Sequence, residues 1–391
     1  MQALSMLPSQ LFHTTPQQRL DRARRQLFDE GIRPTGLIGE AVIQSWLRCV
    51  GARRDPREHV ELEPVTRSRV HSTLNRNRLL LEAAESGLAE LKLSLAGTGC
   101  RALLIDASGV VIHSSQPAGD TREKILPSLD RVGVNVAEGV IGTSAPGIVT
   151  RTGRACTVLG GEHFFEAVNL LYCAAAPIRD ATGGLAGVLD LSIESRPFGF
   201  DAESLVMQYA TAIENRLLLA RAVDQLVVHF HTNPTLLETP FEGLAGITGE
   251  GRVAWLNEVA RRYFGSDTED AEMLFGVTLS QLGHLLRRSE STLVRLPSGI
   301  AVLMRAALYA RDGAPALVGV CGVQPVQHAE PDAPPPSPVS ATVSEANPRL
   351  DELNRDYIDR TLAACGGNVS SAARTLGVSR GLIYRHLRGQ R

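Results

Sequence analysis

RALLIDASGVVIHSS, Arg101 to Ser115, is where the chain changes its period. Two short runs rich in Leu, Ile and Val flank Ala107-Ser108-Gly109, which spells strand, turn and strand, a hairpin. Three more strands are expected in ACTVLG (Ala155 to Gly160), YCAAAPIRD (Tyr172 to Asp180) and LAGVLDLSI (Leu185 to Ile193). A turn at Thr182-Gly183-Gly184 separates the last two. Short strands with helices at both ends predict an α+β domain built on an antiparallel sheet.

Outward from this hairpin the period returns to helical. Residues 1–97 read as a mostly helical region. Within it GLIGEAVIQSWLRCV carries Ile38, Val42, Ile43, Trp46, Leu47 and Val50 at helical spacing. Arg67 to Leu95 is a second helical stretch, and its glycines Gly87 and Gly97 predict a broken pair. The cluster Arg48, Arg53, Arg54 and Arg57 reads as a solvated loop ahead of a nucleic-acid patch.

Beyond the strands, residues 201–232 are expected to form one connecting helix, ended by Pro234. Its heptad places Ala202, Val206, Tyr209, Ile213, Arg216, Ala220, Val223 and Val227 suit a paired signalling helix, or equally one helix packed on its own sheet. A second sensory-sized α+β unit follows over 233–324. Phe241 to Gly265 reads as strand, Gly-Glu-Gly turn, strand and a short helix after Asn257. Leu293 to Leu308 and Pro315 to Val323 supply two or three further strands. Residues 325–347, rich in proline, alanine and serine, form a semi-extended linker.

The last stretch, residues 348–391, reads as three short helices. Gly366 and Gly367 end the first, Asn368 caps the second, Gly377 makes a tight turn, and Ser379 caps the third. Short helix, glycine turn and second helix make a helix-turn-helix. From Arg360 to Arg391 there are six arginines and no acidic residue. On the final helix Leu382, Ile383 and Leu387 face a core, leaving Arg380, Gly381, Tyr384, Arg385 and Arg388 for a major groove.

GGNVSSAARTLGVSRGLIYRHLR, Gly366 to Arg388, resembles the C-terminal DNA-binding domain of Fis-type factors. The resemblance implies sequence-specific binding of double-stranded DNA by a homodimer, with Asn368, Ser370, Ser379, Arg380, Gly381, Tyr384, Arg385 and Arg388 at the interface. SWLRC (Ser45 to Cys49), EGVIGTSAPGIV (Glu138 to Val149), GGEHFFEAVNLLYCAAAPIRD (Gly160 to Asp180) and GGLAGVLDLS (Gly183 to Ser192) resemble the sensory region of acetoin-catabolism-type bacterial activators. That resemblance implies a GAF-like domain over 98–200, while Gly251-Arg252-Val253 and Asn257 in the second unit resemble a PAS domain. Where such regulators carry Gly-Thr-Asn-Ala, this chain has Gly142-Thr143-Ser144-Ala145, which places ligand specificity in question. A GxxxxGK phosphate loop and a GAFTGA-like loop are both missing, so the ATPase module usual between these two regions is expected to be absent.

A small-molecule effector site is expected from Glu138, Thr143, His163, Phe164 and Cys173; the plainer reading of the same segment is a structural loop over a hydrophobic pocket. His163 and Glu166 have the spacing of two metal ligands on a helix, but two are too few for a site. Neither a metal nor a cofactor is expected. An enzyme reading would need Cys156 or Cys173 as nucleophile near His163, and nothing in the sequence marks either thiol as activated.

The composition fits this reading. The apolar fraction is 43% and net charge is −2, so the basic C-terminal stretch must supply its own field for nucleic acid. The six cysteines, Cys49, Cys100, Cys156, Cys173, Cys321 and Cys365, contain no CxxC pair and read as small buried hydrophobes. With neither a signal peptide nor a membrane-spanning run, a cytoplasmic chain is expected. The whole reads as a ligand-responsive transcription regulator without ATPase activity, with RNA polymerase as a further partner. The alternative is an interaction protein that inhibits a full-length activator by mixed dimerisation.

Overall fold

A computed structural model describes residues 15–115, 123–264, 269–286 and 290–309. The expected linker, the helix-turn-helix with all its DNA-contact residues, and the strand Pro315 to Val323 lie outside the described residues. Among the described residues no helix is long and apolar enough to cross a membrane.

Among the described residues the first sheet is preceded by α1 (Pro16–Arg24), which runs on into a π-helical turn at Arg25–Asp29, and by α2 (Glu40–Gly51), α3 (Arg67–Arg76) and α4 (Arg78–Ser94). Thr15 and Gln18 form a capping box at the start of α1, with Pro16 at the first helical position. The break in the Arg67–Leu95 stretch falls at Asn77, not at Gly87. Gly87 lies inside α4, where a Cβ would sit 3.1 Å from an Arg216 guanidinium nitrogen and 3.5 Å from Ile213. Its role is close helix approach.

The first sheet holds β1 (Arg101–Asp106), β2 (Val111–Ser114), β3 (Cys156–Leu159), β4 (Leu171–Arg179) and β5 (Leu185–Glu194). All pairings are antiparallel, in the order β2-β1-β5-β4-β3. The hairpin turn needs Gly109: its φ is +87°, and a Cβ there would lie 2.9 Å from the Ala137 backbone. Between β2 and β3 come α5 (Leu126–Leu129), α6 (Glu138–Ile141) and α7 (Ala145–Thr152). These, with α1 and α2, cover one face of the sheet through Trp46, Phe164, Phe165, Ile148 and Leu126. The other face packs on α4 and on α8 (Ala202–Ala220) through Leu88, Leu91, Val206, Ala210 and Ile213.

The expected single helix through Phe230 is corrected here. The helix α8 ends at Ala220, Asp224 turns the chain with a φ of +64°, and Leu226–His231 is a strand, β6. Val227, Val228 and Phe230 are fully buried in a sheet covered on both faces. Apart from His229 the run Leu226–Phe230 is apolar, and spacing alone does not separate it from a buried helix. Val223 and Val227 are therefore not heptad positions. Val206 and Ile213 are spent on the protein's own sheet, so the paired-helix reading loses its seam. Pro234 opens a short 3-10 turn after the strand instead of breaking a helix.

The second sheet thus begins before residue 233. It comprises β6, β7 (Gly243–Ile247), β8 (Val253–Leu256), β9 (Thr292–Arg295) and β10 (Ala301–Leu308), in the order β8-β7-β6-β10-β9. The helices α9 (Glu258–Tyr263), α10 (Ala271–Phe275) and α11 (Leu279–Leu285) pack on one face against Phe230, Val302 and Met304. The other face meets the end of α8 through Leu218, Val227, Leu244 and Trp255. Asn257 caps α9, as its place after a strand suggests.

Two polar side chains on α8 bind the sheets together. The buried Glu214 carboxylate accepts from the backbone N–H of Arg179 at 2.8 Å and of Glu258 at 3.0 Å. Asn215 accepts from the Asn257 amide at 2.9 Å and donates to the Pro240 carbonyl at 3.1 Å.

Candidate functional site

Antiparallel register sets the floor of the site. Across β1, β5, β4 and β3, one row runs Arg101, Ser192, Cys173, Val158, and the next Leu103, Asp190, Ala175, Cys156. A strand covered on both faces ordinarily reads apolar throughout. Here Ser192, Cys173 and Asp190 lie together on the covered face, each at most 4% exposed.

Their hydrogen bonds can be followed atom by atom. Ser192 Oγ donates to Asp190 Oδ2 at 2.6 Å and lies 3.2 Å from Cys173 Sγ. His163 Nδ1 is 2.9 Å from the Gly160 carbonyl, which can only accept, so the proton sits on Nδ1. Nε2 is then an acceptor, 3.6 Å from the Cys173 thiol. Burial pulls His163 down to about 4, which keeps it neutral near pH 7. Burial also pushes the Cys173 thiol well above its ordinary value and Cys156 up to about 12, so neither is an activated nucleophile. Asp190 is pushed up to about 7 by the same desolvation. Its Oδ1 has no hydrogen-bond partner among the described residues.

Above this floor lies Gly160–Glu166, a lid held from outside. Arg24 Nη1 donates to the carbonyls of Gly161 at 2.9 Å and His163 at 3.0 Å, and Nη2 to that of Phe164 at 3.4 Å. The same guanidinium stacks over Phe28 and Trp46. Trp46 Nε1 donates to the Glu162 carbonyl at 2.7 Å. Phe164 packs edge-on against Phe28 and Phe165. Glu166 is exposed beside Arg57 while His163 points inward, so the pair does not share a helical face.

The five sequence-expected ligand residues fall into two groups. His163 and Cys173 meet on the floor with Phe164 in the lid above them. Glu138 and Thr143 belong to a separate network on α2. Glu138 takes a bidentate pair from Arg48 at 2.6 Å and a Ser45 hydroxyl at 2.7 Å, and Thr143 lies 2.8 Å from Ser45. That network fastens α2 to α6; Arg48 and Arg54 are part of it, Arg54 donating to the Gly139 carbonyl at 2.8 Å. Ser144 caps α7 by accepting from Gly147 N, a role that Ser and Asn fill about equally well. Sequence reasoning missed Asp190 and Ser192. Their signal was the alternation Val188, Asp190, Ser192 in an otherwise apolar strand.

With this geometry in place, comparison with known proteins gives two family matches. The family described as MimR, N-terminal domain, matches residues 15–214. That described as bacterial regulatory protein, Fis family, matches residues 349–388. The chain is 30% identical over 275 residues to the acetoin catabolism regulatory protein of Cupriavidus necator, covering 66% of this chain and 41% of that protein. It is 28% identical over 298 residues to the propane 2-monooxygenase operon transcriptional activator MimR of Mycolicibacterium smegmatis, covering 73% of this chain and 47% of that protein. It thus spans less than half the length of these two relatives. The solved E. coli DhaR(N)-DhaL complex aligns over 70% of this chain and 100% of that chain, with a TM-score of 0.43 and 15% identity. That likeness is too slight to build on.

Proposed function

The chain belongs to the family of the MimR N-terminal domain and carries a Fis-type helix-turn-helix, and from that premise we propose a DNA-binding transcription regulator governed by a small molecule. The relatives named above are a regulatory protein of acetoin catabolism and an operon activator, which supports control of an operon for small-molecule catabolism. In this reading the first sheet is a GAF-like sensor and the second a PAS-like one. The observation that carries the sensing role is the polar floor of His163, Cys173, Ser192 and Asp190, closed under a lid latched by Arg24 and Trp46. A purely structural core gains nothing from an unmatched carboxylate oxygen.

The output is the C-terminal motif. Asn368, Ser370 and Ser379 position its backbone, and Arg380, Tyr384, Arg385 and Arg388 divide between base edges and phosphates. The protein acts as a dimer through contacts with RNA polymerase, without an ATP-driven step, since the sequence has no GxxxxGK. The test is a gel shift on the protein's own promoter. Arg385→Ala is expected to cost about 1–3 kcal/mol and relax specificity at one position. Binding should weaken as salt rises, because phosphate contacts release counterions. Binding by Arg385→Ala that matches wild type in affinity, sequence preference and salt slope would refute the assignment.

A further inference from the structure

A cleft of about 440 Å³ lies where β4, α8 and α9 meet. Ala176 and Ala210 in its wall belong to the α8 face of the first sheet, the face opposite the one that carries Phe164. Among the described residues its lining includes three arginines and three glutamates: Arg154, Arg179, Arg262, Glu203, Glu214 and Glu258.

Four of these six are already satisfied. Glu258 lies 3.4 Å from Arg179 and 3.5 Å from Arg262. Arg179 also donates to the Gly153 carbonyl at 2.6 Å. The buried Glu214 accepts its two backbone N–H groups. The other two are not satisfied. Arg154 stands between α7 and β3, and Glu203 in the first turn of α8. Neither side chain has a hydrogen bond or an ion pair among the described residues, with each other or with any third group. An acidic residue in a first turn suits the helix N-terminus, which accounts for Glu203 but not for an unmatched cation on the same cleft.

Opposite charges held apart on one cleft select a ligand by charge. A carboxylate alone would pair with Arg154 and be repelled by Glu203; an ammonium alone would meet the reverse. A molecule carrying both groups satisfies both at once, and its zero net charge matches the balance of the lining. The planar guanidinium can take a carboxylate through two hydrogen bonds. Ala155, Pro177 and Met207 add apolar wall for a hydrocarbon segment.

We infer that this cleft is a second small-molecule site, and that its ligand is a zwitterion bearing an ammonium and a carboxylate. Arg154 takes the carboxylate and Glu203 the ammonium. The occupant ties the turn between α7 and β3 to α8, beside α9 of the second sheet. The site is separate from the polar floor under residues 160–166 and does not rest on it.

The test is isothermal titration calorimetry of the full chain at pH 7. Glycine, 4-aminobutanoate and 6-aminohexanoate carry both charges at increasing separation, while butanoate and butylammonium carry one each. At least one of the three zwitterions is expected to bind saturably, and the best of them reports the span between the two side chains. Loss of one charge-assisted hydrogen bond should leave each singly charged probe roughly tenfold or more weaker. Saturation matters, because small zwitterions also stabilise proteins by exclusion from the surface, without a site. Arg154→Gln and Glu203→Gln each remove one charge without breaking a side-chain contact, so both should fold as wild type by circular dichroism. Each should weaken the best zwitterion by a similar factor. Butanoate or butylammonium binding as tightly as the best zwitterion, undiminished binding in either folded variant, or no saturable heat with any of the three would overturn the inference. The calorimetry uses no DNA, so failure of the regulatory proposal leaves this site standing, and loss of this site leaves that proposal standing.

Discussion

At the scale of single residues, His163 and Asp190 titrate against each other. His163 falls from 6.5 to about 4 on folding, so between those values the unfolded chain holds the extra proton and stability rises with pH. Asp190 rises from 3.8 to about 7, so the folded chain holds the extra proton there, and its contribution is full below 3.8 and lost as pH rises through 7. Between about pH 4 and 6.5 the two slopes oppose one another. Asp190→Asn should therefore show a thermal midpoint that climbs from pH 4.5 to 6.5, and His163→Gln one that falls over the same span. The wild type should be flatter than either, with single contributions on the order of 1–3 kcal/mol. Identical pH profiles for all three would sink this account. The sequence singled out His163 and Phe164, because a run of two carboxylates, an imidazole and two rings is chemically conspicuous, and the fold brings His163 to 3.6 Å from Cys173. Asp190 escaped, since a sequence shows that a carboxylate sits on a strand but not whether its second oxygen finds a donor. Glu138 and Thr143 were expected beside His163, and the sequence could not show that Arg48 and Ser45 of α2 hold them in a separate network.

Among the elements, the lid and α8 have separable roles. Arg24→Met removes the donors to three lid carbonyls while keeping much of the aliphatic stem over Phe28 and Trp46. Hydrogen exchange of the amides of residues 160–166 should then quicken at least tenfold, against a global loss of about 1–3 kcal/mol. Unchanged exchange would show that the latch does not hold the lid. The helix α8 fastens the sheets through Glu214, whose carboxyl group is raised by burial and accepts two backbone N–H groups. Glu214→Gln turns one acceptor into a donor facing an N–H, and should lower stability in urea by about 2 kcal/mol. Strands of the first sheet were readable because their glycine turns punctuate a regular alternation. The boundary of α8 was not, since Leu226–Phe230 is apolar at every position but His229, and its partners lie on strands more than ten residues further along the chain.

At the scale of the molecule, α8 packs on both sheets, so the two sheets are expected to unfold together. Wild type should melt in a single transition, and Glu214→Ala should separate it into two, as scanning calorimetry can resolve; a single unsplit transition in the variant would mean the apolar contacts of Leu218 and Trp255 suffice alone. The coarse plan was legible: helices, an antiparallel sheet, a second α+β unit. The seam between the units was placed too late, because β6 completes the second sheet while following directly on the helix of the first. That placement bears on how such regulators can recombine. β6 is the middle strand of its sheet, with β7 on one side and β10 on the other. A crossover between two related genes at Thr232 would give the recipient a foreign central strand, mismatched to both neighbours. Exchange of sensing specificity is workable only with the junction upstream of Asp224, or by grafting both sheets together.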